Sequence, residues 1–270
     1  MAAFKEAPGA CRKIASMNRL QTWVINLDRA PERLARIGSQ LQRLKLPFTR
    51  LAAVDARALT PEQTASLDEA AYRRKHGMTP VLGELGCYLS HVQAMHAFLA
   101  SPADFALILE DDVLLHDSLP AVLSGLMKLS DRWDVAKLSA VHSGTPVVYA
   151  DVAPGHQLAV MLSRCTGSSA YILNRHAAQI YARGLLPMSL PYDHVFDQGW
   201  RFGFKFRLVT PTPCGHDEQI ASTIVSAPGI TRKFHWTQRL PAYAYRLGNE
   251  WRRLVYGLTQ IVRERRRSNR

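Results

Sequence analysis

The chain has 270 residues, and 47% of them are apolar, which is enough to bury the core of one large α/β domain or of one domain with an appendage. Its formal charge of +12 favours an anionic partner: nucleic acid, an acidic lipid surface or a phosphorylated substrate. The apolar runs are too short for a membrane span or a signal peptide, and the four cysteines lack metal-finger spacing. These features argue against a zinc module and an integral membrane protein, and we expect reduced thiols in a cytoplasmic protein.

Apolar periodicity and capping residues predict strands that alternate with helices. A strand, a helix and a second strand follow one another from residue 22 to residue 54, and such a βαβ unit builds a parallel sheet that binds ligands at its strand ends. Thr60, Pro61 and Gln63 combine an N-cap, a first-turn proline and a capping-box glutamine, so a helix should begin there. The predicted elements are strands over residues 22–27, 48–54, 105–109, 135–138 and 168–173, and helices over residues 31–46, 60–74, 84–99, 119–129 and 176–182.

The most informative motif is Glu110-Asp111-Asp112, which follows the continuously apolar residues 105–109. Such a run predicts a strand buried on both faces, and like charges at its end repel one another unless a cation or hydrogen-bond donors hold them. Because side chains alternate along a strand, Glu110 and Asp112 should share one side, where they suit Mg²⁺ or Mn²⁺ bound to a diphosphate. The alternative is a solvated acidic turn whose aspartates cap a helix. The predicted burial of the strand favours the metal, with Asp112 as a direct ligand.

Two arginines follow the first predicted strand. Arg29 comes directly after it, and Arg33 lies one turn into the next helix. A phosphate at this place would meet guanidinium groups together with the N–H groups of the helix N-terminus. The alternative is an ordinary capped helix with surface arginines.

Three motifs stand in order along the chain: Val24-Ile25-Asn26-Leu27-Asp28-Arg29, Gly83-Glu84-Leu85-Gly86-Cys87-Tyr88-Leu89-Ser90-His91 and Leu107-Ile108-Leu109-Glu110-Asp111-Asp112. Together they resemble glycosyltransferase family 25, the family of bacterial lipopolysaccharide glycosyltransferases and collagen galactosyltransferases. The resemblance covers roughly residues 20–225. It implies a GT-A-like nucleotide-sugar-binding α/β fold with a mainly parallel central sheet flanked by helices. It also implies a UDP-sugar donor, typically UDP-galactose, a divalent metal and inversion at the anomeric carbon.

The resemblance assigns roles to individual positions. Glu110 and Asp112 stand at the ends of a DXD-like motif as metal ligands, with Asp111 beside them on the donor. Asn26 and Arg29 stand at the nucleotide end of the first strand.

In the second motif, Ser90 and His91 would contact the nucleotide as polar groups. Without the resemblance, His91 reads as a helix histidine with an internal partner.

Residues 191–194 resemble the later Pro-x-Asp segment of the family, which places a carboxylate near the acceptor. An inverting transfer needs a group that takes the proton from the acceptor hydroxyl, so Asp193 is the candidate general base. Asp197, one helical turn further on, is the substitute. The alternative role for Asp193 is a helix N-cap.

The last residues differ in character from the rest of the chain. From Arg239 to Arg270, nine arginines stand against two acids. Apolar and aromatic side chains recur among them at helical spacing, and a basic amphipathic helix of this kind suits an anionic membrane that presents a lipid-linked acceptor. The alternative is a helix that packs on the domain and ends in a charged segment. Nucleic acid is an unlikely partner, because the sequence contains no known binding module.

The predicted organisation is a poorly ordered extension over residues 1–20, a glycosyltransferase domain over 21–225 and a basic helical tail over 226–270. Met17 is a second candidate start. We expect a metal-dependent, inverting hexosyltransferase, with galactose as the sugar and a lipooligosaccharide or lipopolysaccharide core as the acceptor, at the inner face of the cell membrane. The rival hypotheses are a metal-dependent phosphoesterase and a non-catalytic protein that binds membrane or nucleic acid.

Overall fold

The computed structural model describes residues 19–142, 144–216 and 233–268. The strands are β1 (Leu20–Asn26), β2 (Thr49–Ala52), β3 (Phe105–Glu110), β4 (Val113–Leu115), β5 (Val135–Lys137), β6 (Pro146–Ala153), β7 (His156–Met161), β8 (Ala170–Asn174), β9 (Phe206–Thr210) and β10 (Cys214–His216). Most of them form one sheet of eight, in the order β2-β1-β3-β8-β5-β9-β7-β6, and β4 and β10 form a second, two-stranded sheet. Helices cover both faces of the large sheet.

The helices confirm the alternation that the sequence predicts, with small shifts at their ends. They are α1 (Pro31–Arg43), α2 (Pro61–Ala65), α3 (Glu69–His76), α4 (Leu82–Ala100), α5 (Leu119–Lys128), α6 (Arg175–Gly184), α7 (Tyr192–Phe196), α8 (Gly199–Phe202) and α9 (Leu240–Ser268), the last preceded by a 3-10 turn over Trp236–Arg239.

The predicted α/β class is confirmed, and the sheet is mixed in its pairing. Strand β1 pairs in parallel with β2 and with β3, and β5 pairs in parallel with β9. Strand β8 runs antiparallel to both β3 and β5, and the β6–β7 hairpin adds further antiparallel pairs. The parallel β2-β1-β3 part has its carboxyl ends at one edge, and the three predicted motifs meet there.

The core follows from the alternation of side chains along buried strands. On β3, Ala106 and Ile108 pack with α4 and α6 on one face of the sheet. Leu107 and Leu109 pack with α1 and α5 on the other. All five apolar residues of β3 are buried, which confirms the predicted double burial of this strand.

One predicted helix is two helices in the structure. The capping box at Thr60 and Gln63 is present, but α2 ends at Ala65. The carboxylate of Asp68 then accepts a hydrogen bond from the backbone N–H of Ala71 and starts α3. A second N-cap inside an apparently continuous pattern therefore divides the segment.

Helix α9 packs on the body through polar side chains. Its residues Gln260 and Glu264 accept hydrogen bonds from the guanidinium of Arg207, which is fully buried in β9. Its residue Arg253 forms an ion pair with Asp197, with Nη1 2.9 Å from Oδ2. In the part of the chain that the structure describes, no helix has the length and apolar content needed to cross a bilayer.

The predicted extension over residues 1–20 lies almost entirely outside the described residues. The same is true of residues 217–232, where the predicted boundary at residue 225 falls. These domain limits stay predictions.

Candidate functional site

A cleft opens to solvent at the carboxyl ends of β2, β1 and β3, with about 670 Å³ of space between its walls and the solvent at its mouth. Ligands of parallel α/β sheets bind at this edge. Seven residues that the sequence singles out line the cleft: Arg29, Arg33, Ser90, His91, Glu110, Asp111 and Asp112. Larger clefts lie along α9 and beside α5, but they hold none of these residues. We therefore identify the site by its chemistry rather than its size.

Only the first of the three acids belongs to the strand, and this corrects the predicted alternation. Strand β3 ends at Glu110, and Asp111 and Asp112 form the turn that leads into β4. Nη2 of Arg33 lies 2.5 Å from Oδ1 of Asp111 and 3.2 Å from Oδ2 of Asp112. Both aspartates therefore face the same guanidinium, and all three acids border one cleft.

Asn26, the last residue of β1, fixes Asp111 from the other side. Its Nδ2 donates to Oδ2 of Asp111 at 2.7 Å and to the carbonyl of Ala30 at 2.9 Å, while its Oδ1 accepts from Nε of Arg50 at 3.0 Å. The side chain of Asp111 is only 8% exposed, and burial raises its pKa against the opposing effects of Asn26 and Arg33. Asn26 is thus buried behind the acidic turn and acts on the site through Asp111.

One carboxylate oxygen of Asp112 is suited to bind a cation. Its Oδ1 is buried and has no hydrogen-bond partner among the described residues. Burial and the neighbouring charge of Glu110 raise its pKa to about 6, although Arg33 acts in the opposite direction. An ionised carboxylate with a bare buried oxygen, next to other carboxylates, is stabilised by a hard cation. Glu110 and Asp112 are therefore suited to hold Mn²⁺ or Mg²⁺.

The second motif forms the start of α4 and packs tightly against the chain that follows β2. A Cβ on Gly86 would lie 2.7 Å from the carbonyl oxygen of Val54, so only glycine allows this approach. The hydroxyl of Ser90 donates to the carbonyl of Gly86 at 2.7 Å and accepts from the N–H of Val54 at 2.9 Å. Ser90 borders the cleft, and its hydroxyl links α4 to the chain after β2.

His91 connects the cleft to the interior. One ring nitrogen, Nε2, lies 3.2 Å from Oε1 of Glu110, and Nδ1 lies 2.9 Å from the hydroxyl of Tyr171. The ring also stacks on Tyr192, with 4.0 Å between centroids and 3° between planes. The hydroxyls of the two tyrosines are 3.0 Å apart. A buried polar chain therefore runs from the acidic motif to the segment that holds Asp193.

Arg29 lines the cleft and forms an ion pair with Asp55, which lies in the loop after β2. Both side chains are about one-third exposed. The guanidinium is therefore accessible from the cleft while Asp55 restricts its position.

The two candidate bases differ in their surroundings. The side chain of Asp193 is 28% exposed, and its Oδ2 accepts from the N–H of Gly167 at 3.3 Å. Asp197 is buried and bound by Arg253, and burial raises its pKa to about 6 despite this partner. Asp193 is the more accessible of the two, since Asp197 is engaged in the contact with α9. Neither borders the cleft itself.

Cys87 is a cleft residue for which the sequence pattern indicates only an apolar helix position. It lines the cleft one turn before His91. Burial and the charges of Glu110, Asp193 and Asp112 raise the pKa of its thiol well above the usual value. The spacing of four residues between Cys87 and His91 is the signal that would have placed both on the same helix face.

The fold and the cleft define an α/β protein with a charged ligand site at the carboxyl ends of its parallel strands, as in many nucleotide-binding proteins. The profile of one family, described as "Glycosyltransferase family 25 (LPS biosynthesis protein)", matches residues 19–196. The chain belongs to glycosyltransferase family 25, and the resemblance noted in the sequence is confirmed.

Two relatives show how the similarity is distributed. The chain is 30% identical over 122 residues to procollagen galactosyltransferase 2 of Homo sapiens, which covers 44% of this chain and 19% of that protein. It is 31% identical over 137 residues to inactive glycosyltransferase 25 family member 3 of Mus musculus, covering 47% of this chain and 23% of the relative. The chain thus spans less than a quarter of either relative.

Among solved structures, a glycosyltransferase involved in the glycosylation of the major capsid of PBCV-1 aligns with a TM-score of 0.39 and 9% identity. The alignment covers 84% of this chain and 98% of that one.

Proposed function

We propose that this chain transfers a hexose, galactose, from a UDP-sugar to a lipid-linked oligosaccharide of the lipooligosaccharide or lipopolysaccharide core, with a divalent cation and with inversion. The observation that carries the proposal is the acidic motif at the strand edge, with a bare buried oxygen on Asp112. Family membership supports sugar transfer. The name of the human relative supports galactose, and the description of the family supports the acceptor class.

The donor diphosphate is assigned to the cleft between α1 and the acidic motif. A bound cation, held by Glu110 and Asp112, would neutralise charge on the departing diphosphate. The guanidinium of Arg29 lines the same cleft and would contact a phosphate oxygen of the donor. Arg33 keeps the two aspartates together, because its Nη2 contacts both of them.

The acceptor is assigned to the side of Asp193. In the proposed step, the acceptor oxygen forms a bond to the anomeric carbon while the bond from that carbon to the diphosphate oxygen breaks. Asp193 takes the proton of the acceptor hydroxyl, and UDP leaves with the electron pair of the broken bond. Attack from the face opposite the diphosphate inverts the anomeric carbon. Asp197 is the alternative base, with its ion pair to Arg253 as the obstacle.

The test is the consumption of a panel of UDP-sugars with Mn²⁺ or Mg²⁺ in the absence of acceptor. We expect UDP-galactose to be hydrolysed slowly by the wild-type protein. In Asp112→Asn the rate should fall by about 100-fold or more, since even the outer partners of a metal site cost about 10- to 100-fold when removed. Asp117→Asn is the matched control, because its side chain is 82% exposed and lies outside the cleft.

The same assay separates the rival functions. A phosphoesterase would cleave simple phosphate esters with the metal and show no preference for a nucleotide sugar. A non-catalytic protein would leave every activity unchanged in Asp112→Asn. If the wild-type protein neither consumes nor binds any nucleotide sugar with any divalent ion, the transferase proposal is wrong.

Peripheral docking on an anionic membrane is the second part of the proposal, and helix α9 supports it. The buried side of α9 is largely polar, with Asn249, Arg253, Gln260 and Glu264 beside Ala242 and Ile261, and many of its other apolar side chains are exposed. Leu247 is 75% exposed and Trp251 is 66% exposed. The exposed apolar side chains of α9 recur every three or four residues and form one face, which we call the outer face: Leu240, Tyr243, Leu247, Trp251, Val255, Leu258 and Val262.

The positive charge around the outer face indicates which kind of partner can bind there. Exposed arginines, including Arg252, Arg263 and Arg266, flank it, so a second copy of this chain would bring like charges together. An anionic lipid surface would bury the apolar side chains and attract the arginines. We place this surface at the inner face of the cell membrane, in keeping with the reduced thiols expected from the sequence.

The docking test uses vesicles of phosphatidylglycerol and of phosphatidylcholine with the full chain. We expect co-sedimentation with the anionic vesicles only, weakened by salt. Replacing Leu247 and Trp251 by Gln should reduce partitioning by about tenfold or more for each, because each side chain contributes roughly 1.5–3 kcal/mol when it enters the lipid. Val148→Gln, an exposed apolar position on β6, is the control. Equal partitioning of all variants would exclude docking through this face.

A further inference from the structure

The cleft contains a second set of metal-ligand atoms that overlaps the acidic motif. Cys87, His91 and Glu110 each offer one ligand atom, and these atoms all lie within 4.8 Å of one another. Metal–ligand bonds to sulfur, nitrogen and oxygen are about 2.0–2.3 Å long, so a small movement of the side chains would let one ion bind all three. Glu110 therefore belongs both to the acidic motif and to a mixed cluster with sulfur and nitrogen.

The elements that carry the three side chains explain why they converge. Cys87 and His91 are four residues apart on α4 and hence on one face of the helix. Glu110 ends β3, with Nε2 of His91 3.2 Å from its Oε1. The close approach of Gly86 to Val54 holds the first turns of α4 against the same edge of the sheet.

The second nitrogen of His91 is arranged as in metal-binding histidines. Its Nδ1 lies 2.9 Å from the hydroxyl oxygen of Tyr171, which can accept a hydrogen bond from Nδ1–H and so favours the tautomer with a lone pair on Nε2. The stacked ring of Tyr192 fixes the plane of the imidazole. Outer contacts of this kind orient a histidine ligand and set which nitrogen binds the ion.

We propose that Cys87 and His91 join Glu110 as ligands of the divalent cation in this cleft, so that the site selects a transition metal over Mg²⁺. The inference rests on the proposed function for the role of the cation. A thiolate and an imidazole favour Zn²⁺, Co²⁺ or Fe²⁺, whereas Mg²⁺ requires oxygen ligands. Asp112 lines the same cleft, outside this group of three ligand atoms. Binding of the ion replaces the proton of the thiol and releases it to solvent.

The test adds Co²⁺ to metal-free full-length protein and records its absorption spectrum. We expect a thiolate-to-cobalt charge-transfer band in the near ultraviolet, together with the visible bands of a four- or five-coordinate ion. The charge-transfer band should disappear in Cys87→Ala and persist in Cys214→Ala, whose thiol is buried in the opposite core cluster. Zn²⁺ should remove the band, and Mg²⁺ in large excess should leave it unchanged.

The wild-type spectrum decides the inference whether or not the variants fold. If Co²⁺ binds without a charge-transfer band, or if Mg²⁺ displaces it readily, the ion is held by oxygen alone and the inference is wrong. Consumption of UDP-sugars is measured separately, so that result leaves the transferase proposal standing. A sulfur-bound metal in a protein that consumes no nucleotide sugar would confirm the ligands and reject the transferase.

Discussion

The imidazole of His91 and the phenol ring of Tyr192 lie parallel, 4.0 Å apart at their centroids. Tyr192 directly precedes Asp193, and His91 contacts Glu110. The stack therefore joins the acidic motif to the proposed acceptor side. We predict that Tyr192→Phe, which keeps the ring and loses the hydrogen bond to Tyr171, costs about 1 kcal/mol of unfolding free energy. Tyr192→Ala should cost about 3–5 kcal/mol, measured by chemical denaturation. Equal losses in the two variants would show that the stack contributes nothing.

Arg33 should be essential to the acidic turn. Its side chain is 13% exposed, and it supplies the cationic partner of Asp111, which is 8% exposed. Arg33→Gln leaves a buried carboxylate without its counter-charge, and we expect a loss of about 3–5 kcal/mol in unfolding free energy, measured with a chelator present. The control is Arg43→Gln on the same helix, where an exposed pair with Asp117 should contribute at most about 1 kcal/mol. Similar losses for both arginines would contradict the assignment.

A divalent cation should stabilise the fold through Asp112. We predict that the melting temperature rises with added Mn²⁺ at neutral pH, where the carboxylate is ionised because its pKa is about 6. Saturation at about 100 times the dissociation constant corresponds to about 2.7 kcal/mol. In Asp112→Asn the rise should be largely lost, and in Asp117→Asn it should be retained. A rise of the same size in both variants would place the ion elsewhere.

His194 should make the fold sensitive to mild acid. Burial lowers its pKa from 6.5, with Arg164 and Arg246 acting in the same direction and Asp193 against them. In the unfolded chain the residue takes up its proton at a higher pH than in the fold. Its contribution to stability is therefore present above about pH 6.5 and is lost as the pH falls below that value. We measure the unfolding free energy of the wild type and of His194→Gln by chemical denaturation at about pH 7.5 and about pH 5.5. The variant should lose less unfolding free energy over this range than the wild type, and an equal loss in both proteins would refute the prediction.

Two glycine substitutions in helices should act in opposite directions. In Gly86→Ala the new Cβ meets the carbonyl of Val54 at 2.7 Å, and we expect a loss of about 1–3 kcal/mol. Gly248 lies in α9 with nothing within 4 Å of a Cβ, so Gly248→Ala should gain about 0.5–1 kcal/mol from helix propensity. Thermal unfolding of both variants checks the pair. If Gly86→Ala stabilised the protein, Gly86 would not lie as close to the carbonyl of Val54 as the structure shows.

The sequence predicts the buried elements well because their signal is local. The apolar run of β3 and the periodicity of α4 are visible without knowledge of their partners. The β6–β7 hairpin was not predicted, since β6 is only partly buried and shows no clean alternation. The Pro154-Gly155 dipeptide at its turn, where Gly155 has a φ of 75°, is the signal that would have found it.

The part of the candidate site that could be predicted from the sequence is the part where charged residues directly follow a buried strand. Acids at the end of a hydrophobic strand are conspicuous in a sequence, so Glu110 and Asp112 were identified and then found at the cleft. Cys87 and Tyr192 resemble core residues, and only the distant contacts of the folded chain bring them to the site. The engagement of Asp197 by Arg253, 56 positions away, also has no local signature.

The polar inner side of α9 has a consequence for how the protein can be shortened. Arg207 and Asp197 are buried charged residues, and each has its counter-charge on α9. Glu264 pairs with Arg207, and Arg253 pairs with Asp197. A version of the chain that stops before residue 240 would lose these ion pairs and would leave Arg207 with Tyr149 and the carbonyl of Phe206, and Asp197 with the N–H of Cys165. The last helix is therefore a structural part of the α/β body as well as an exposed surface, and removing it should destabilise the fold.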